Sequence, residues 1–114
     1  MNTKELFFRV RERHPIEQAD FLGALGDCVR ALLARYPTAL LTAEGDGSIG
    51  APGGLEESCG LHPLYDSALI LGCLAAAGAD GVTQDDFLRE AELAYRSRWR
   101  ECAKGKRIAP RGRW

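Results

Sequence analysis

The sequence has no long apolar run. The longest, "ALILGCLAAAGA" from Ala68 to Ala79, falls short of the roughly 20 residues that cross a bilayer, which leaves out a transmembrane role. The opening, "MNTKELFFRVRERH", is charged and has no apolar stretch of the kind a secretory signal carries. Together these lead to the expectation of a cytoplasmic protein with no membrane partner. Paired cysteine motifs are missing too. Cys28, Cys59, Cys73 and Cys102 include no C-x-x-C, and without an export signal they are expected as free thiols. There is no H-E-x-x-H, no P-loop, no nucleophile elbow and no internal repeat. Net charge is also low, at −1 over 114 residues.

What is present is an ordinary globular composition, 46% hydrophobic and 27% charged. A chain of this length makes one domain with a modest core and little room for a deep active site.

The low net charge conceals a split. Up to Tyr95 there are seven basic and fifteen acidic residues; from Arg96 onward there are eight basic and one acidic, giving about −8 and +7. Polarity of this size serves contact with a partner rather than folding. The basic residues are Arg96, Arg98, Arg100, Lys104, Lys106, Arg107, Arg111 and Arg113, interleaved with Trp99 and Trp114. Arginine beside aromatic side chains grips phosphates, stacks on bases, pairs with acids of another protein, or merely keeps a tail soluble.

Helical periodicity dominates the body. Residues 3–12 form a short helix capped by Asn2 or Thr3, with Leu6, Phe7 and Val10 as its stripe, and Pro15 ends it. The second and clearest helix carries Phe21, Leu22, Leu25, Cys28, Val29, Leu32, Leu33 and Tyr36 at three- and four-residue spacing. Glu17, Asp20, Asp27, Arg30 and Arg35 lie off that stripe. A third helix starts near His62-Pro63 and is apolar almost all round, so it is either central in the core or covered by another chain. Its small residues, Gly72 among them, admit a close neighbour. "TQDDF" restarts the chain with Thr83 and Asp86 as a capping box, and Phe87, Leu88, Ala91, Ala94, Tyr95, Trp99 and Cys102 carry the fourth helix to about residue 103. The expected fold is therefore mainly α, with about four helices in a single domain over 1–103. A small β-hairpin or glycine-rich loop is inserted between helices 2 and 3, and residues 104–114 form a basic, extended C-terminal tail.

The insert contains "EGDGSIG", a literal G-x-G-x-x-G at Gly45, Gly47 and Gly50. A dinucleotide site needs a helix to begin inside that motif so that its N-terminus meets the pyrophosphate. Ala51-Pro52-Gly53-Gly54 blocks one here, and no second parallel strand follows. Asp46-Gly47 instead signals a hairpin turn between "ALLTA" and "SIGA". No cofactor is expected.

Cys59 and His62 form C-x-x-H, and with Cys73 or His14 could supply zinc ligands, but a second close-spaced ligand pair is missing and no metal is expected. Cys59, His62 and Asp66 have the residue types of nucleophile, base and orienter. However, Cys59 precedes the helix, and His62-Pro63 is more simply a helix start. Asp85-Asp86 sits where a helix N-terminus favours acids, and Glu56-Glu57 reads as a solvated loop. No enzymatic activity and no small-molecule substrate are expected. The residues expected to contact a partner are Lys104, Lys106, Arg107, Arg111, Arg113 and Trp114.

The order of elements, together with "HPLYDSALILGCLAAAGAD" at 62–80 and "DFLREAELAYRSRWR" at 86–100, resembles the small head–tail connector (neck or adaptor) proteins of tailed phages and prophages. The resemblance implies a non-enzymatic structural protein that forms a homo-oligomeric ring between portal and tail, with other virion proteins as partners. It also implies a location in the host cytoplasm or the virion. The alternative from the residues alone is a small helical nucleic-acid-binding regulator that uses the basic C-terminal segment.

Overall fold

The computed structural model describes residues 2–43 and 48–106, with side chains described through Cys102. Five α-helices occur among these residues: α1 (Thr3–Arg13), α2 (Gln18–Arg35), α3 (Thr38–Leu41), α4 (Asp66–Ala77) and α5 (Gln84–Lys106). A 3-10 turn, Pro63–Tyr65, leads into α4. The fold is mainly helical, as the periodicity predicts.

Caps read from the sequence bound α1, α4 and α5. Asn2 caps α1 in a capping box, its Oδ1 accepting from Glu5 N–H at 2.8 Å while Glu5 Oε1 accepts from Asn2 N–H at 2.9 Å. Thr3 is instead buried and donates its hydroxyl to the Glu57 carbonyl, tying α1 to the insert. Thr83 and Asp86 form the second box, at the start of α5, with Thr83 N–H donating to Asp86 Oδ2 at 2.9 Å. Gly78 closes α4 in the left-handed region, at φ 84°, which glycine adopts without steric cost.

α4 is the centre of the molecule. It packs on α1, α2 and α5, and that contact explains why it is apolar on nearly every side. Gly72 is where three helices meet. A Cβ there would overlap Cys28 Sγ of α2 and lie 2.9 Å from Phe87 Cδ1 of α5. Cys28 and Cys73 are buried at the same crossing as free thiols, and their mutual hydrogen bond together with burial pushes the Cys73 thiol up. α1 adds Leu6, Phe7 and Val10, with the Phe7 and Phe21 rings 5.1 Å apart.

The insert differs from the expected hairpin. "TALL" is a single helical turn, α3, rather than a strand. A short apolar run carries no decisive period, and here tertiary contacts choose: Leu41 is fully buried and Tyr65 Oη donates to the Leu40 carbonyl at 3.0 Å. The backbone after α3 pairs with residues 60–62, not with "SIGA". Thr42 and Leu61 form an isolated antiparallel bridge, flanked by Ala43 N–H to Gly60 O at 3.0 Å and His62 N–H to Leu41 O at 2.8 Å. "SIGA" joins the same stretch through Gly50 N–H to Cys59 O at 3.1 Å. No strand occurs among the described residues. The expected Asp46-Gly47 turn, with Gly45, lies outside them.

Candidate functional site

The exposed end of α5 carries the described part of the basic segment. α5 is built on a buried stripe of Phe87, Ala91 and Ala94 facing α4. Continuing that stripe by one turn brings Arg98 inward, its side chain only 15% exposed. Arg98 NH1 donates to Glu101 Oε1 at 3.2 Å, and its buried Nε has no hydrogen-bond partner among the described residues. Arg98 thus packs beside the turn before α4, where it and burial hold the His62 imidazole below its ordinary pKa, burial being the larger cause.

Arg96, Trp99 and Arg100 face the other way. Trp99 is 53% exposed and the Arg96 side chain 63%. With Glu92 and Tyr95 they line a shallow depression of about 420 Å³. Its floor is ordered from beneath. The Tyr95 ring stacks at 4.5 Å on Tyr36, the residue that closes α2, Tyr36 Oη donates to Glu92 Oε1 at 2.9 Å, and Arg96 Nε donates to Glu92 Oε2 at 3.1 Å. The bond from Tyr36, and then Arg96, hold the Glu92 carboxyl below the usual carboxylate range, while burial and Glu92 push the Tyr36 phenol up. The result is an aromatic and guanidinium ledge whose polar groups are held in place before any partner arrives. Only the Glu92–Arg96 pair, at i,i+4 spacing, is visible in the sequence; the Tyr36 contact needs the α2–α5 approach.

The residues expected to contact a partner lie further along. α5 continues to Lys106, past the expected end near 103, so Lys104 and Lys106 occupy its last turns with side chains outside the description. Arg107, Arg111, Arg113 and Trp114 lie outside the described residues.

The other candidate residues fall into separate environments. Cys73 is buried against Cys28, and His14 caps α1 with its Nδ1 2.9 Å from the Pro15 carbonyl. Among the described residues, no three His, Cys, Asp or Glu side chains converge in a way that could hold a metal ion. Cys59, His62 and Asp66 line the approach to α4. Burial pushes the Cys59 thiol up, so it stays protonated at neutral pH. His62 Nδ1 accepts from Leu64 N–H at 3.1 Å, which caps the 3-10 turn and leaves the proton of the neutral ring on Nε2. A buried, protonated thiol suits packing, and an imidazole that accepts from Leu64 N–H suits capping. After Gly50 no helix begins before the 3-10 turn at Pro63. Among the described residues no helix is long and apolar enough to cross a membrane.

No protein-family model, curated protein or solved structure matches this chain.

Proposed function

We propose that this chain is a non-enzymatic assembly protein of the phage head–tail connector type. Its basic C-terminal segment docks on the acidic body of a neighbouring copy, and repetition of that contact builds a ring. The observation that carries this reading is the charge split of about −8 and +7. Exposed ion pairs within one monomer contribute at most about 1 kcal/mol and are screened by salt. Across an interface the same charges set orientation and on-rate. A contact between two different patches of one chain can repeat head-to-tail, and such heterologous contacts close into rings when the rotation permits. No cofactor, metal or small-molecule substrate enters this role, and the location is the host cytoplasm or the virion, in contact with other virion proteins.

The ledge at Trp99 favours one second reading. An indole between Arg96 and Arg100 is a platform on which a base could stack, as in a small nucleic-acid-binding regulator. Deleting residues 104–114 separates the two. On the assembly reading, helix content by circular dichroism is retained and self-association in sedimentation is lost. Intact self-association with loss of DNA binding replaces the assembly reading with the regulator. Loss of neither makes the segment a solubilising extension.

A further inference from the structure

Away from the α5 ledge, α2 and the C-terminal end of α4 border an open groove of about 600 Å³. Its rim carries Glu17, Asp20 and Asp27, and no basic residue lines it. Asp27 is engaged by Arg30 at 2.5 Å, while Glu17 and Asp20 are exposed and have no ion-pair partner among the described residues. The floor is made of small side chains, including Ala76, Ala77 and Gly23. A Cβ added at Gly23 meets nothing within 4 Å, so the groove is open space rather than packed core.

We infer that this groove is the receptor for the C-terminal segment, residues 104–114, of a second copy. The inference rests on the assembly reading above and names the surface it uses. Three observations select the occupant. The first is charge: residues 104–114 carry Lys104, Lys106, Arg107, Arg111 and Arg113 and no acid, opposite a rim whose charged lining residues are all acids, with Glu17 and Asp20 unpaired among the described residues. The second is shape: a small-residue floor leaves room that an indole fills, and Trp114 ends the segment. The third is reach. α4 and α5 run antiparallel, with Gly72 against Phe87 and the turn before α4 close to Arg98. From Phe87 to Lys106 the helix rises about 28 Å. Ala76 and Ala77 lie a further turn away from Lys106. The eight residues after Lys106 span at most about 28 Å fully extended. None of that length would remain to lie in the chain's own groove, so the occupant comes from a neighbour.

Charge reversal on the full-length chain tests this. The groove variant is Glu17→Lys with Asp20→Lys; both positions are exposed, and circular dichroism checks that the fold is retained. The tail variant is Arg107→Glu, Arg111→Glu and Arg113→Glu. In sedimentation velocity at low salt, each variant alone is expected to lose at least tenfold in self-association. An equimolar mixture is expected to recover it, because each reversed groove then meets a reversed tail and each native groove a native tail. Gly23→Leu should fill the groove, raise thermal stability and weaken association. If tail reversal abolishes association while groove reversal and Gly23→Leu do not, the groove is the wrong surface and the assembly reading stands. If no variant changes association, or the wild type is monomeric throughout, both fall.

Discussion

Two glycines in adjacent helices illustrate how the core is specified residue by residue. Gly72 is required by contact, because any side chain there meets Cys28 and Phe87. Gly72→Ala is expected to destabilise the fold by about 1–3 kcal/mol through overpacking. Gly23 has open space around it and an ordinary helical backbone, so Gly23→Ala should stabilise by about 0.5–1 kcal/mol through helix propensity. Denaturant titration of the pair checks both signs, and equal effects would contradict the account of the α2–α4–α5 crossing. Tyr65 makes a pH-dependent contribution. Its ring is fully buried, and burial raises its phenol pKa to about 12 from the ordinary 10. The folded state therefore favours the protonated phenol. That stability is fully present below about pH 10 and is lost as pH rises through about 12. Tyr65→Phe should flatten this alkaline loss, at a cost near neutral pH of about 1 kcal/mol for the missing bond to Leu40 O. A variant that loses stability between pH 10 and 12 as steeply as the wild type would assign the transition to other groups.

At the scale of elements, the capping boxes are the most direct link from sequence to structure. Thr83→Ala removes the cap of α5, the helix with the most extensive contact with α4, and should cost about 1 kcal/mol, or about 5 °C in Tm. An unchanged melting temperature would mean the cap adds nothing that packing has not already fixed. The long helices are legible from periodicity, Phe21 to Leu32 for α2, and from periodicity with a cap for α5, where Thr83 precedes Phe87, Ala91 and Ala94. The insert was not. "TALL" has no period that separates strand from helix, and its state is decided by the burial of Leu41 and the hydrogen bond from Tyr65, both long-range. The true pairing of Thr42 with Leu61 skips the residues that a tight turn would join. Arg98 was counted with the basic face, and only the turn of α5 against the approach to α4 takes it inward. The acidic groove was half visible: Glu17, Asp20 and Asp27 stand off the apolar stripe of α2 at helical spacing. The concavity they border depends on the end of α4 and could not be read from α2 alone.

At the scale of the whole molecule, charge is divided between an acidic body and a basic C-terminal segment. The ledge of Arg96, Trp99 and Arg100 and the groove of Glu17, Asp20 and Asp27 are separate surfaces of the molecule, with no lining residue in common. Opposite charges on separate patches suit head-to-tail repetition, in which the segment of each copy meets the body of the next. The most direct measurement of the central claim is the sedimentation of the intact chain as a function of salt. At about 0.01 M ionic strength charges act over roughly 30 Å, and at about 1 M over roughly 3 Å. The account predicts a defined oligomer at low salt that dissociates steadily to monomer as salt rises, with helix content unchanged. A monomer at every salt concentration, or an oligomer indifferent to salt or strengthened by it, would contradict the claim that the basic C-terminal segment and the acidic body join neighbouring copies.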